Sequence, residues 1–284
     1  MKKVVCLFLI TATLLLCLSS CELGTIEKQY SEGLEYELCT DIRNGDYYIV
    51  TGIGTCADTD IVIPATYQGL PVKKIAEIAF SKCKAIESVL IPEGITEIDD
   101  QAFVLCENLK SVQFPSTLAR IDEEAFAGCY SLSSCNIPAG VKTIVPGAFR
   151  LCTSLKSIEV DKDNLFYQSI NGDLYYSDYY ADQHNMDGIP LIAYAPGKTE
   201  THVSLLEEVC AIANYAFANN TYMESIFIPA KVTEISWDAF LHCSSLTDVY
   251  YSGTEEEWEA IKIFPQGNDA LQNATIHYNY IPEE

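Results

Sequence analysis

The chain has 284 residues, 49% of them hydrophobic and 20% charged, an ordinary globular composition that argues against a largely disordered or collagen-like protein. Forty Asp and Glu against 17 Lys and Arg give a formal charge of −23. So acidic a surface repels phosphate backbones and anionic headgroups, which excludes nucleic acid as a partner, and a chain of this length is two domains unless it is built of repeats.

Lys2 and Lys3 precede an apolar stretch from Val4 to Leu18, too short to span a bilayer comfortably and laid out as a secretory signal. It ends Leu18-Ser19-Ser20-Cys21, which resembles the lipobox of bacterial lipoproteins. The resemblance implies a signal peptide over residues 1–20, lipid on Cys21, and an exported protein anchored in the membrane at the bacterial cell surface. An ordinary cleaved signal with a chance cysteine is the alternative. Each buried acyl methylene contributes about 0.8 kcal/mol, so attachment through several chains is stable. Residues 21–33 read as a polar tether.

Residues 34–60 read as a small β cap, in which an apolar strand from Leu34 leads to Asn44-Gly45, a dipeptide suited to a tight hairpin turn, and then to Tyr47, Tyr48, Ile49 and Val50. An internal period follows. Ala-Phe pairs end at Phe80, Phe103, Phe126, Phe149, Phe217 and Phe240, so the phenylalanines lie 23, 23, 23, 68 and 23 residues apart. Five residues before each stands Ile75, Ile98, Ile121, Ile144, Ile212 or Ile235; eight before stands Val72, Ile95, Leu118, Val141, Val209 or Val232. Six after stands Ile86, Leu109, Leu132, Leu155, Met223 or Leu246, and eleven after stands Ile91, Phe114, Ile137, Val160, Ile228 or Tyr251. Such a unit cannot bury its own apolar face, but stacked units bury a continuous column, so the chain is predicted to be a solenoid.

Ile91-Pro92, Ile95, Ile98, Ala102-Phe103, Cys106, Leu109, Val112 and Phe114 resemble the bacterial leucine-rich repeats of the BspA-like type. The resemblance places four repeats over residues 61–160 and two over 203–252. It implies a right-handed superhelix with short parallel strands on one face, helical or extended turns on the other, and small β elements and a C-terminal helix as caps. Departures are an insertion between Pro64 and Val72, Cys135 at a Val or Ile position, and Leu206 where proline is usual.

Residues 161–202 interrupt the repeats. Phe166, Tyr167, Ile170, Leu174, Tyr175 and Tyr176 surround Asn171-Gly172, a second hairpin signal, and Ile189 to Tyr194 can return as a third strand, giving an inserted hairpin or small sheet. In the closing segment, residues 253–284, Thr254 and Glu257 form a capping-box pattern that opens a short helix through Trp258 and Ile261, and Ala274 to Tyr280 reads as a final strand.

Of twelve cysteines, Cys83, Cys106, Cys129, Cys152 and Cys243 each lie three residues after a repeat phenylalanine, with Asn220 in the fifth unit. Their period is that of the fold, which predicts a ladder of buried thiols; disulfides between coils are the alternative in an exported protein, although parallel side chains suit that bond poorly. Cys39 and Cys56 are the better disulfide candidates. No cysteine pair has zinc spacing, and no metal or other cofactor is expected. His184, His202, His242 and His277 sit on separate elements without a nucleophile motif, so catalysis is not expected. The acids at Asp161, Asp163 and Glu255 to Glu257 fail the EF-hand pattern and read as solvated turn and helix-end carboxylates.

What remains is the repeat face. Strand alternation points Leu90, Gln113, Asn136, Glu159, Phe227 and Tyr250, ten residues after each phenylalanine, away from the core beside Ser88, Ser111, Ser134, Ser157, Ser225 and Asp248. Varied outward residues on a constant scaffold are expected to bind a protein ligand or the surface of a host or neighbouring cell, the adhesive or recognition role that the family resemblance implies. The alternatives are a carbohydrate module using exposed rings of the insert, Tyr175, Tyr176, Tyr179 and Tyr180, and a hydrolase carried by paired carboxylates.

Overall fold

The computed structural model describes residues 30–282, so the expected signal and Cys21 lie outside the described residues. Ser31–Glu284 form one compact unit. Among the described residues, no helix is long and apolar enough to cross a membrane.

Each coil contributes two short strands to two parallel stacks. One stack runs Tyr47–Gly52, Leu70–Ile75, Glu97–Ile98, Arg120–Ile121 and Thr143–Ile144. The other runs Asp60–Val62, Ser88–Leu90 and Ser111–Gln113, continues through a bridge between Ser111 and Ser134, and ends with Cys135–Ile137 beside Ile158–Val160. Between the stacks lie the repeat phenylalanines, whose rings stack face to face at 4.9, 5.1 and 5.6 Å from Phe80 through Phe103 and Phe126 to Phe149. The isoleucines five residues before them are buried in all six coils. The period read in the sequence is therefore the period of the core.

The side of the coil that carries the phenylalanine is a run of turns rather than a helix. The amides of Ala79, Ser81 and Cys83 donate to the carbonyls of Ala76, Ile78 and Phe80, three residues back in each case. A further ladder steps to the next coil, with Ile78, Phe80 and Lys82 N–H donating to Asp100, Ala102 and Val104, and Gln101, Phe103 and Leu105 N–H to Glu123, Ala125 and Ala127. To aim these groups, the residues two before and two after every phenylalanine take left-handed φ values from +51° to +92°. Seven of those twelve residues, Ile78, Lys82, Gln101, Leu105, Glu124, Leu151 and Tyr215, have no intrinsic preference for that region. Hydrogen bonds between coils override local propensity here.

The amino-terminal cap pairs Glu35–Cys39 antiparallel with Tyr47–Gly52. Contrary to expectation, Asn44-Gly45 is not a two-residue hairpin turn. Asp41 Oδ1 accepts the amides of Arg43 and Asn44 at 2.8 and 3.1 Å, which organises a longer loop between the strands. The insertion before Val72 is a small hairpin, Thr66–Tyr67 against Leu70–Pro71.

In the insert, Asn171 and Gly172, with φ of +55° and +82°, make the two-residue turn between Tyr167–Ile170 and Asp173–Tyr176. A short helix, Asp178–Gln183, follows, with Ser177 as its N-cap. Ile189–Ala193 then pairs antiparallel with Asp173–Tyr176 and parallel with Val209–Ile212, so the insert hands its sheet on to the later repeats. Tyr194 stands one period before Phe217, packs on it at 5.3 Å, and donates its N–H to Ala216 as the phenylalanines do in their coils. Residues 189–205 are thus a degenerate seventh coil, whose strand His202–Ser204 pairs parallel with Ser225–Ile228.

At this junction the core divides into two buried clusters. Asp173 and Lys198 form a buried ion pair there, the ammonium 2.8 Å from both carboxylate oxygens, and Ala195 N–H donates to the same carboxylate. Burial pushes the Asp173 carboxyl up, against the opposing pull of Lys198 and that amide. At the far end, Thr254 and Glu257 make the reciprocal capping box of the helix Glu255–Ala260, and Trp258 packs edge-on against Tyr251 at 5.1 Å. Lys262–Ile263 adds a last rung to one stack and Thr275–His277 to the other.

Candidate functional site

The strand stack containing the outward column divides at the insert into two surfaces of different chemistry. In the first, Leu90 pairs with Gln113, and Asn136 with Glu159, all four exposed. Beside them Ser88 donates to Asp60 at 2.5 Å, and Ser157 hydrogen-bonds Glu159. Lys110 reaches Glu87 at 2.7 Å across one period. Apart from the exposed Leu90 and the half-buried Phe114, these strands present polar side chains outward.

The second surface is aromatic. Strand register places Ser204, Phe227, Tyr250 and His277 in one row and His202, Ser225, Asp248 and Thr275 in the next. Tyr250 stacks on His277 at 4.7 Å, and Tyr280 covers both Tyr250 at 4.6 Å and Phe227 at 6.0 Å. Phe227 is consequently only 6% exposed, which corrects its place among the outward contact residues. It does leave the core, but the C-terminal segment folds over it, pinned by Asn279 and Tyr280 N–H donating to Gly253 and Tyr251. His202 Nδ1 and Ser225 Oγ are hydrogen-bonded at 2.8 Å, and His277 Nε2 lies 2.7 Å from Asp248 Oδ1. His277 and Thr247 hold the Asp248 carboxyl below its ordinary range.

Sequence reading left the histidines scattered; strand register brings two of them onto one face. The available signal was that His202 lies one period before Ser225, in the outward column of a coil whose phenylalanine is replaced by Tyr194. Asp248, beside Ser225 in register, is engaged by His277 and Thr247 rather than by His202. His184 closes the insert helix and stacks on Tyr180, and His242 is an exposed left-handed turn residue. Among the described residues, no three His, Cys, Asp or Glu side chains converge as metal ligands.

The insert tyrosines do not form an exposed platform. Tyr175 is buried at 3% exposure in the core, a correction to its place among exposed rings, because the hairpin turns that face inward over the next coil. Tyr176 and Tyr180 are stacked on each other at 4.0 Å, between Tyr167 and His184, and Tyr179 alone of the four is exposed. The expected carboxylate clusters are turn and helix-end groups, since Asp161 accepts the Asp163 amide and Glu257 the Thr254 amide.

The cysteine column is a thiol ladder. Cys106, Cys129, Cys152 and Cys243 each donate Sγ–H to the carbonyl of the preceding coil's phenylalanine, at 3.0 to 3.2 Å. Burial pushes all four thiols up, Cys243 to about 12. Cys39 and Cys56 are free and half-buried.

A family model described as BspA type Leucine rich repeat region matches in six copies, over residues 73–177 and 194–276. The fold is similar to that of a leucine-rich repeat protein from Eubacterium ventriosum, at 20% identity and a TM-score of 0.54, covering 77% of this chain and 65% of that one. It also matches the T. pallidum leucine rich repeat protein TpLRR, at 22% identity and a TM-score of 0.46 over 76% of this chain and 78% of that one. The pneumococcal vaccine antigen PcpA matches at 20% identity and a TM-score of 0.47, over 77% and 71% respectively. No curated protein matches the chain. The six-copy match spans most of the chain and falls on the coils whose stacked phenylalanines and buried isoleucines build the core: this chain belongs to the BspA-type leucine-rich repeat family.

Proposed function

We propose that this protein is a noncatalytic, lipid-anchored surface protein that recognises a protein ligand, on a host or neighbouring cell, through its repeat face. The observation that carries the reading is the column Leu90, Gln113, Asn136 and Glu159. It sets apolar, amide and acidic groups side by side on strands in parallel register, over a core that repeats without such variation. Strands already paired in register hold these groups with little backbone ordering cost on binding, which favours a surface made for contact. Export and lipid on Cys21 rest on the processing signal at residues 1–21.

The test is surface plasmon resonance of residues 22–284 over immobilised fibronectin, laminin and collagen, native and enzymatically deglycosylated, with cell binding alongside. A triple variant, Leu90→Ala, Gln113→Ala and Glu159→Ala, changes only exposed side chains and keeps the core. Saturable binding that survives deglycosylation and weakens at least about tenfold, or ~1.4 kcal/mol, in the variant is expected. Absence of binding to every protein and cell, or binding indifferent to the variant, would sink the reading. Incorporation of labelled lipid that disappears in Cys21→Ala checks the anchor.

A further inference from the structure

On the second surface, His202, Val203, Ser204, Ser225, Phe227, Tyr250, Tyr280 and Pro282 line a groove of about 370 Å³. That volume is at the lower end of the range for small-ligand sites, ~300–1,000 Å³. No lining side chain bears a fixed charge. Tyr250 and Tyr280 are half-buried, and Ser204 is exposed. The His202 ring is held by Ser225, itself 8% exposed, through Nδ1, which leaves Nε2 as its remaining polar atom.

We infer that this groove is a binding site for a neutral saccharide. A pyranose presents a face of C–H groups and an edge of hydroxyls. The lining matches both, with the half-buried phenol rings of Tyr250 and Tyr280, backed by the buried Phe227, for the apolar face and neutral donors and acceptors, Ser204, His202 and two phenol hydroxyls, for the edge. Charge selects among sugars. A body of −23 with no cation lining the groove repels sialylated or sulfated glycans, and with no lining carboxylate nothing in it would neutralise a cationic ligand. The polar half of the repeat face, around Gln113 and Glu159, has no comparable rings, so this inference stands independently of the protein-recognition reading.

The test is saturation-transfer NMR on residues 22–284 with lactose, N,N′-diacetylchitobiose and sialyllactose as probes. Transfer to a neutral disaccharide and weaker transfer to sialyllactose are expected, with the signal lost in Tyr250→Ala and retained in Tyr179→Ala, the exposed ring of the insert. Tyr250 also packs against the C-terminal segment, so Ser204→Leu is measured beside it. That change fills the groove from an exposed strand position and should abolish transfer while circular dichroism and the melting temperature stay unchanged. The inference is overturned if no neutral saccharide receives saturation, if transfer persists in folded Ser204→Leu, or if a proline- or aromatic-rich peptide occupies the groove where sugars do not.

Discussion

A cysteine placed every 23 residues looks at first like redox or metal chemistry, and its surroundings decide otherwise. A thiol that donates to a buried carbonyl and is far from water is neither a good nucleophile nor a ready partner for oxidation. In the native protein Cys106, Cys129, Cys152 and Cys243 are expected to resist iodoacetamide at mildly alkaline pH, while half-buried Cys39 and Cys56 are alkylated; all six react once the chain is unfolded in urea. Peptide mass spectrometry after timed quenching reads this directly, and alkylation of the ladder at the rate of Cys56 would contradict it. The left-handed positions make a second prediction at this scale. Ile78 is β-branched, 56% exposed and held at φ +55°, so its side chain gains little there while its backbone is strained. Ile78→Asn, which keeps the amide bonded to Asp100 and tolerates the left-handed region, is expected to stabilise the fold by about 1 kcal/mol in urea denaturation.

Among elements, the insert is where the column is interrupted and repaired. Gly197 stands three residues after Tyr194, where five of the six phenylalanine coils carry cysteine and the fifth Asn220, and a Cβ there would lie 2.7 Å from the Leu155 backbone nitrogen. The ladder breaks because two backbones meet. Nearby, Lys198 faces the buried Asp173 carboxylate, and its removal would leave that charge unpaired. Lys198→Met is expected to cost about 3–5 kcal/mol in urea denaturation, and much of the loss should return in the double variant with Asp173→Asn. The sign with pH follows from burial raising the folded carboxyl above its unfolded value. The single variant's deficit is small below the unfolded value, where the group is protonated in both states, and grows as pH rises through the folded one. A deficit that shrank with rising pH would contradict this. The phenylalanine coils and the Asn171-Gly172 turn were legible because side-chain type repeats there or the turn is local. The Asn44-Gly45 turn was misread because Asp41 competes for its amides, and the seventh coil was hidden because a tyrosine replaced the phenylalanine. The placement of His202 and His277, 75 residues apart, on one face depends on strand register carried from end to end of that sheet, which no local pattern displays.

For the molecule as a whole, stability should be a sum over coils and the interfaces between them, because each coil bonds only to its neighbours. Register is the condition on that sum. Residues 104–126 span one full period of 23, beginning just after Phe103 and ending at Phe126. Their deletion brings Phe103 next to Phe149 in the stack, keeps the isoleucine column continuous, and leaves the capped ends untouched. The shortened protein is expected to fold, with a circular dichroism spectrum of the same shape, a single urea transition at a lower midpoint, and Cys106 lost from the ladder while Cys152 and Cys243 remain protected from alkylation. Deleting one residue fewer, 104–125, leaves the coil after the seam one residue out of step with the coil before it and turns the Ile144 row out of line with the Ile98 row. That protein is expected to lose the transition and expose Cys152. Equal behaviour of the two deletions would mean that the coils fold without reading one another's register, and that the 23-residue spacing is not what holds this solenoid together.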